Sequence, residues 1–357
     1  MSIRNVIFAG FLVFAQSLFA GTIPADNENF QYTGRVDFSD KKAPVITWPG
    51  TCIKAKFTGT SLKVILDDRE GKNFFDVYID GDYSKPHRIA CKKGKATCDV
   101  VDDLEKSTHT MLLFKRTEGE QGSTAFHGVV LDEGGKLEKP EKRPELGIEI
   151  IGDSISCGLE NEGKKKESNV GSNNFMSYGA ITARELDAEY MCIAKSGIGM
   201  IESWFPITMP QYYDRLHANS VDLKADYKKW DFEKWQPDIV VINLFQNDSW
   251  VYQYKKNKKK RPSDKGCVQA YVDFVKTVRK HNPKAHIFCT LGSMSASKTK
   301  WADYVKSAAE QMVKSGDKKV HSYIFKTKTG NRHPNVKEHK RMAKELTEVI
   351  KKACDIK

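Results

Sequence analysis

The sequence predicts an α/β chain in two parts, an all-β, jelly-roll-like sandwich followed by a parallel sheet with helices on both faces. Three observations predict it. Short apolar stretches divided by glycines fill residues 25–138, and no segment of helical period interrupts them. A polar stretch with Pro140 and Pro144 follows at 139–146. From 147 to 357 apolar strands alternate with helix-period segments, the pattern of a parallel sheet covered on both sides. The composition agrees. Of 357 residues, 39% are apolar and 29% charged, which argues against a disordered or collagen-like chain.

The first 20 residues read as a secretory leader. Arg4 supplies the positive end and Val6–Val13 the apolar centre, while Ser17-Leu18-Phe19-Ala20 ends on a small residue suited to cleavage. The apolar run from Val6 to Phe19 is too short for a typical membrane span. A secreted or periplasmic protein is therefore expected, with no stable membrane insertion after cleavage.

In the sandwich, strands are expected over Val45–Trp48, Cys52–Phe57, Leu62–Leu66, Phe74–Ile79, Met111–Phe114 and Phe126–Leu131. Residues 139–146 form the linker. In the second part, strands are expected at Ile148–Ile151, Tyr190–Ala194, Ile239–Leu244, Ala285–Leu291 and Val320–Phe325. Helices are expected at Asn174–Leu186, Val268–Lys280, Trp301–Val313 and Val336–Ala353. Asn335 and Glu338 have the spacing of a capping box for the last of these.

Export permits disulfides, and of the eight cysteines only Cys91 and Cys98 lie close together, flanking a glycine turn where a hairpin-closing bond would fit. Cys157, Cys192 and Cys289 read as buried thiols. No Cys/His spacing suits zinc, so no metal is expected. The charge balance of +12 raises the question of nucleic acid, but no nucleic-acid motif is present. The basic run Lys255-Lys256-Asn257-Lys258-Lys259-Lys260-Arg261 reads as a solvated loop, or as a patch attracting an acidic polysaccharide.

The chemistry-bearing residues sit just past predicted strands, where a parallel sheet places its ligands. The first strand runs into Gly152-Asp153-Ser154. A serine at such a turn exposes its hydroxyl beside free backbone N–H groups, but it is a weak nucleophile without a base. The second strand runs into Lys195-Ser196-Gly197, where glycine lets the backbone approach a ligand. The third runs into Phe245-Gln246-Asn247-Asp248, whose asparagine amide can face a developing oxyanion. His333 lies on the loop before the capped final helix, a stiff platform for a general base. Singly, each of these is an ordinary turn, cap or surface residue.

In order, Gly-Asp-Ser, then Gly, then Asn-Asp, then His-Pro-Asn near the end, the chain from about 146 to 357 resembles the SGNH (GDSL) hydrolase superfamily. With a sandwich ahead of it, and with Ile148–Gly158, Trp235-Gln236-Pro237-Asp238, His333-Pro334-Asn335, His339 and Tyr78-Ile79-Asp80-Gly81, it resembles carbohydrate esterase family 2. The resemblance implies a serine esterase that removes O-acetyl groups from plant-type polysaccharides such as xylan or mannan, without cofactor or metal, through an acetyl-enzyme. It implies Ser154 as nucleophile and His333 as base. The oxyanion hole would comprise the Ser154 and Gly197 N–H groups and the Asn247 side chain.

Two positions depart from the superfamily pattern. Gly330 stands where an aspartate would precede the histidine, so a Ser-His dyad is expected, with something other than an aspartate orienting the imidazole. Phe245 replaces a glycine, which predicts a narrowed acyl pocket and a crowded oxyanion hole. Trp250 and Trp204 are the candidate sugar platforms. The competing functions are another SGNH esterase, lipase or thioesterase on wall or host glycans, and a glycan-binding protein without catalysis.

Overall fold

The structure is a computed structural model that describes residues 21–163, 170–222, 224, 226–254 and 261–356. The leader sequence and Lys255–Lys260 of the basic run lie outside the described residues. Arg261 is described, and its guanidinium is bonded to Tyr304 at 2.9 Å and Asp264 at 3.0 Å.

Residues 21–138 form two antiparallel sheets packed face to face. One runs in the order Val36–Asp37, Val45–Ile46, Thr124–Leu131, Leu62–Asp68, Gly94–Val101, with Gly21–Pro24 also pairing Thr124–Leu131. The other runs Lys136–Glu138, Cys52–Gly59, Ser107–Lys115, Phe74–Ile79, His87–Ala90, with Gln31–Thr33 also on Cys52–Gly59. Alternation builds the core between them: Ile53, Ala55 and Phe57 point inward with Val77, Met111 and Leu113. The strands His87–Ala90 and Gly94–Val101 escape sequence reading because each lies at a sheet edge and exposes alternate residues. Cys91, in the connection between them, and Cys98, within the second of these strands, are free thiols, so the disulfide that the sequence leaves possible is absent here.

The second sheet system is five-stranded and all parallel, in the order Ala188–Ala194, Leu146–Gly152, Ile239–Asn243, His286–Met294, Val320–Gly330. Ile151, Val240 and Ile242 face one core with the helices Asp264–His281 and Lys300–Lys314. Ile148, Ile150 and Val241 face the other with the helices Tyr178–Glu185 and Val336–Cys354. The expected helix Asn174–Leu186 is broken by Ser177, which is extended and caps the helix beginning at Tyr178 through the Ala180 N–H.

The antiparallel part enters both of these cores. Trp48 packs in the first and donates to the Leu216 carbonyl at 2.8 Å, while Cys52, Tyr78 and Phe114 pack in the second. Two fully buried guanidinium groups cross the seam. Arg35 donates to the Tyr213 and Arg215 carbonyls and pairs with Glu149 at 3.3 Å, within a cage of Trp48, Tyr213, Trp230 and Phe232. Arg116 pairs with Asp76 at 2.5 Å and Glu162 at 2.7 Å. Removing one partner of such a pair strands the other charge in a dry site. Arg35→Ala is expected to lower stability by about 3–5 kcal/mol, part of it recovered by adding Glu149→Gln. Urea denaturation of the two variants checks this.

Candidate active site

The first parallel strand ends at Gly152. A Cβ there would lie 2.0 Å from Ser156 Oγ, so the tight exit requires glycine. Asp153 then caps a one-turn helix, Ser154–Cys157, by accepting the Ile155 N–H at 3.0 Å, and Gly158 closes it in the left-handed region. Ser154 opens the turn, so its own N–H has no acceptor within the helix.

His333 meets it from the far end of the chain, with Nε2 2.8 Å from Ser154 Oγ. The loop that carries it is clamped on both sides. Thr329 Oγ1 donates to the Arg332 carbonyl at 2.8 Å, and Arg332 forms a two-pronged ion pair with Glu338. Glu338 also completes the capping box with Asn335 at the head of the last helix. The Val336 N–H donates to the Asn161 carbonyl at 3.0 Å, which joins the histidine loop to the segment behind the nucleophile turn. Gly330 adopts φ +67, a glycine-favouring conformation. Burial pushes the His333 pKa below its ordinary value, and the negative charge of Glu160 opposes that shift.

Gly197 lies beyond the neighbouring strand, which pairs with the first through Gly152 and Ala194. It has φ +82, and its carbonyl accepts the Trp204 N–H at 3.2 Å. The Asn247 amide nitrogen donates to the Ile198 carbonyl at 2.9 Å and touches Asp153 Oδ2 at 3.2 Å, while its oxygen accepts the Trp204 indole N–H at 3.1 Å. The structure thus forms two hydrogen-bonded pairs, Ser154 with His333 and Asn247 with Trp204, which meet at Asp153, the residue before Ser154, with Gly197 in the adjoining turn.

Trp204 is 43% exposed. Trp250 is half-buried against the second core, with its indole N–H on Ser295 Oγ at 3.1 Å. Phe245 differs from expectation. Its ring is fully buried among Tyr271, Trp301 and Tyr304, so it fills the core beneath the site rather than narrowing an acyl pocket. Its backbone explains the usual glycine, since Phe245 has φ +92.

Sequence reading missed what holds these groups. Asp248 is fully buried and accepts the N–H groups of Met200, Ile201 and Glu202 at 2.8, 2.6 and 2.9 Å, tying down the loop before Trp204. Burial raises its pKa to about 6 despite those bonds. Burial raises Asp153 to about 7, opposed by the Ile155 N–H and reinforced by Asp248. The only signal was the Asn-Asp pair itself. Among the described residues no group of three or more His, Cys, Asp or Glu is placed to hold a metal ion.

His339 is wholly buried. Its Nδ1 accepts the Tyr178 N–H at 3.0 Å, and its Nε2 has no partner among the described residues. Burial, then the His333 charge, lowers its pKa to about 3.

Residues 32–140 match the family model "Carbohydrate esterase 2 N-terminal". The chain is 35% identical over 341 residues to the cellulase/esterase CelE of Acetivibrio thermocellus, which covers 91% of this chain but only 40% of that protein. It is 24% identical over 350 residues to an acetylxylan esterase / glucomannan deacetylase of Cellvibrio japonicus, covering 95% and 94% of the two chains. A family two carbohydrate esterase from Clostridium thermocellum, solved in complex with cellohexaose, superposes with TM-score 0.79 at 33% identity, covering 91% of this chain and 99% of that one.

The depressed His339 gives a prediction. Between pH 6.5 and about 3 the unfolded chain binds a proton there that the folded chain does not. Stability is therefore complete above pH 6.5 and falls below it, by about 1.4 kcal/mol per pH unit for this one group. His339→Asn, which offers an acceptor for the Tyr178 N–H but does not titrate, is expected to flatten stability between pH 6.5 and 5 relative to the parent. Denaturation midpoints across that range measure it, and equal slopes would contradict it.

Proposed function

The chain belongs to carbohydrate esterase family 2, and on that footing we propose that it removes O-acetyl groups from plant-type polysaccharides, xylan or mannan, through a Ser154–His333 dyad. The observation that carries the reading is the 2.8 Å contact between Ser154 Oγ and His333 Nε2.

In this reading His333 takes the hydroxyl proton as Ser154 attacks the acetyl carbonyl. The Ser154 and Gly197 N–H groups and the Asn247 amide receive the oxyanion, Asn247 by giving up its long contact to Asp153. The protonated imidazole returns its proton to the departing sugar hydroxyl, leaving an acetyl-enzyme. Water, deprotonated by the same imidazole, then attacks the acetyl carbon, and the imidazolium gives that proton to the departing Ser154 Oγ, which regenerates the serine as acetic acid leaves and ionises to acetate. No aspartate stands at position 330. The clamped backbone on both sides of His333 supports a dyad whose imidazole is aimed by its loop, with the Glu160 charge favouring the imidazolium. A depressed base stays neutral, and so competent, below its ordinary pKa.

Trp204, exposed and bonded to the oxyanion asparagine, is the better sugar platform, while Trp250 is half-buried with its indole N–H on Ser295 Oγ. The leader pattern supports secretion or periplasmic export, and among the described residues no helix is long and apolar enough to cross a membrane. An acidic glycan remains the expectation attached to the basic run.

Acetate release from a panel of acetylated xylans, mannans and pectins tests the substrate class, and acetyl against octanoyl model esters separates an acetyl esterase from a lipase. Ser154→Ala is expected to lower kcat on p-nitrophenyl acetate by at least about 10³-fold. Asn247→Ala is expected to cost about 10²–10³-fold. Parental activity in the Ser154 variant would remove Ser154 as the nucleophile, and a parent that hydrolyses none of these esters would leave a glycan-binding protein. The kcat/KM profile is expected to rise with pH through a single midpoint below 6.5 and to stay flat above it.

A further inference from the structure

The turn that carries Gly197 leaves an edge strand of the parallel sheet, so it has a neighbouring strand exit on one side only. The antiparallel part of the chain supplies the other side. After the strand Ser107–Lys115, the segment 116–121 presses against the parallel-sheet region. A Cβ on Gly119 would lie 2.4 Å from both the Cβ and the carbonyl oxygen of Ala218, so only glycine lets this segment approach so closely. The buried Lys115 ammonium donates to the carbonyls of Thr117 at 2.6 Å and Glu118 at 3.3 Å, and the Asn174 N–H donates to the Arg116 carbonyl at 3.0 Å. These bonds fix the backbone from which Glu118 projects.

The Glu118 side chain then reaches the two segments that carry Gly197 and Ser154. The residue is only 7% exposed. Its Oε2 accepts the Ser196 N–H at 2.8 Å, and its Oε1 accepts the Ser196 hydroxyl at 2.6 Å. The thiol of Cys157, last residue of the one-turn helix that Ser154 opens, lies 3.7 Å from Oε2. One carboxylate therefore touches both segments on which the chemistry is hung. Burying a carboxylate is costly unless it is well hydrogen-bonded, and here its bonds go to the Ser196 turn and the Cys157 thiol, with the buried Lys115 ammonium as the nearby counter-charge.

We propose that Glu118 is a positioning residue for the acyl site: it occupies the Ser196 N–H and locks that turn, so that the next amide, that of Gly197, faces the cleft. The proposal rests on the reading of Gly197 as an oxyanion donor. It makes the antiparallel sheets part of the catalytic apparatus rather than an appendage. The same turn accepts the Trp204 N–H at the Gly197 carbonyl, so Glu118 also sets the base of the sugar platform.

The test uses the full chain, with kcat, KM and thermal midpoint measured for Glu118→Ala, Glu118→Gln, Ser196→Ala and Ser154→Ala on p-nitrophenyl acetate. Glu118→Ala is expected to lower kcat about 10–100-fold with KM within about threefold, less than the loss of a donor itself. Glutamine accepts the Ser196 N–H through its carbonyl and donates to the Ser196 hydroxyl through its amide, so Glu118→Gln is expected to recover kcat to within about fivefold of the parent. Ser196→Ala keeps one of the two bonds, and a kcat loss of about 3–10-fold at unchanged KM is expected, which carries the test should Glu118→Ala fail to fold. Parental kcat in Glu118→Ala or Ser196→Ala, or a glutamine variant no better than alanine, overturns the proposal. If Ser154→Ala is inactive in that case, the esterase reading stands without Glu118. If Ser154→Ala is itself active, the reading of the site falls instead.

Discussion

Charge removed from water at the seam between the antiparallel sheets and the parallel sheet is the constraint on which the rest depends. Arg35 and Arg116 are fully buried, and each answers its charge with groups from across the seam. Buried ion pairs add little net stability compared with well-packed apolar residues. What they impose is geometry, because any slide between the two parts separates a guanidinium from its carboxylate and its carbonyls. The aromatic cage around Arg35 adds cation–π attraction and excludes water that would otherwise relieve the strain of misplacement. The two parts therefore meet in one register, and a side chain from one can be trusted to reach a loop in the other.

That register matters because the candidate site is assembled from the ends of four strands. Ser154, Gly197, Asn247 and His333 each leave a different part of the sheet, and none is held by its own strand alone. The hydroxyl–imidazole contact survives because the loops around it are tied to one another. Arg332 and Glu338 tie the histidine loop to the last helix, and Asn161 ties it to the nucleophile segment. Asp248 gathers three amides of the loop leading to Trp204. Preorganisation of this kind is what an oxyanion site needs, since donors that must reorient during the reaction lose part of their effect.

The fold class was legible because it follows from periodicity. Ile239–Leu244 is continuously apolar, as a strand covered on both faces must be, and Phe75 to Asp80 alternates, as a sandwich strand must. The strand exits were legible only through their order along the chain, Gly-Asp-Ser, then Gly, then Asn-Asp, then His-Pro-Asn, since each alone is an ordinary turn, cap or surface residue. What sequence could not reveal is support that comes from far away. Glu118 and Ser196 are 78 residues apart, and nothing in either neighbourhood marks the pair. The helix Gln246–Tyr254 was missed because its residues are mostly polar and it is held by its place after the third strand rather than by an apolar stripe. Phe245 misled because residue size was read without residue direction.

Phe245 also constrains how this chain can change. Its backbone sits where an L-residue is disfavoured, so substitution by glycine would ease the main chain. The same substitution would empty a space that Tyr271, Trp301 and Tyr304 have closed around. The gain and the loss fall on different parts of the molecule and arrive together. The backbone and the ring at this position therefore pull in opposite directions, and a glycine here would need a larger side chain on one of the helices carrying Tyr271, Trp301 and Tyr304 to refill the space.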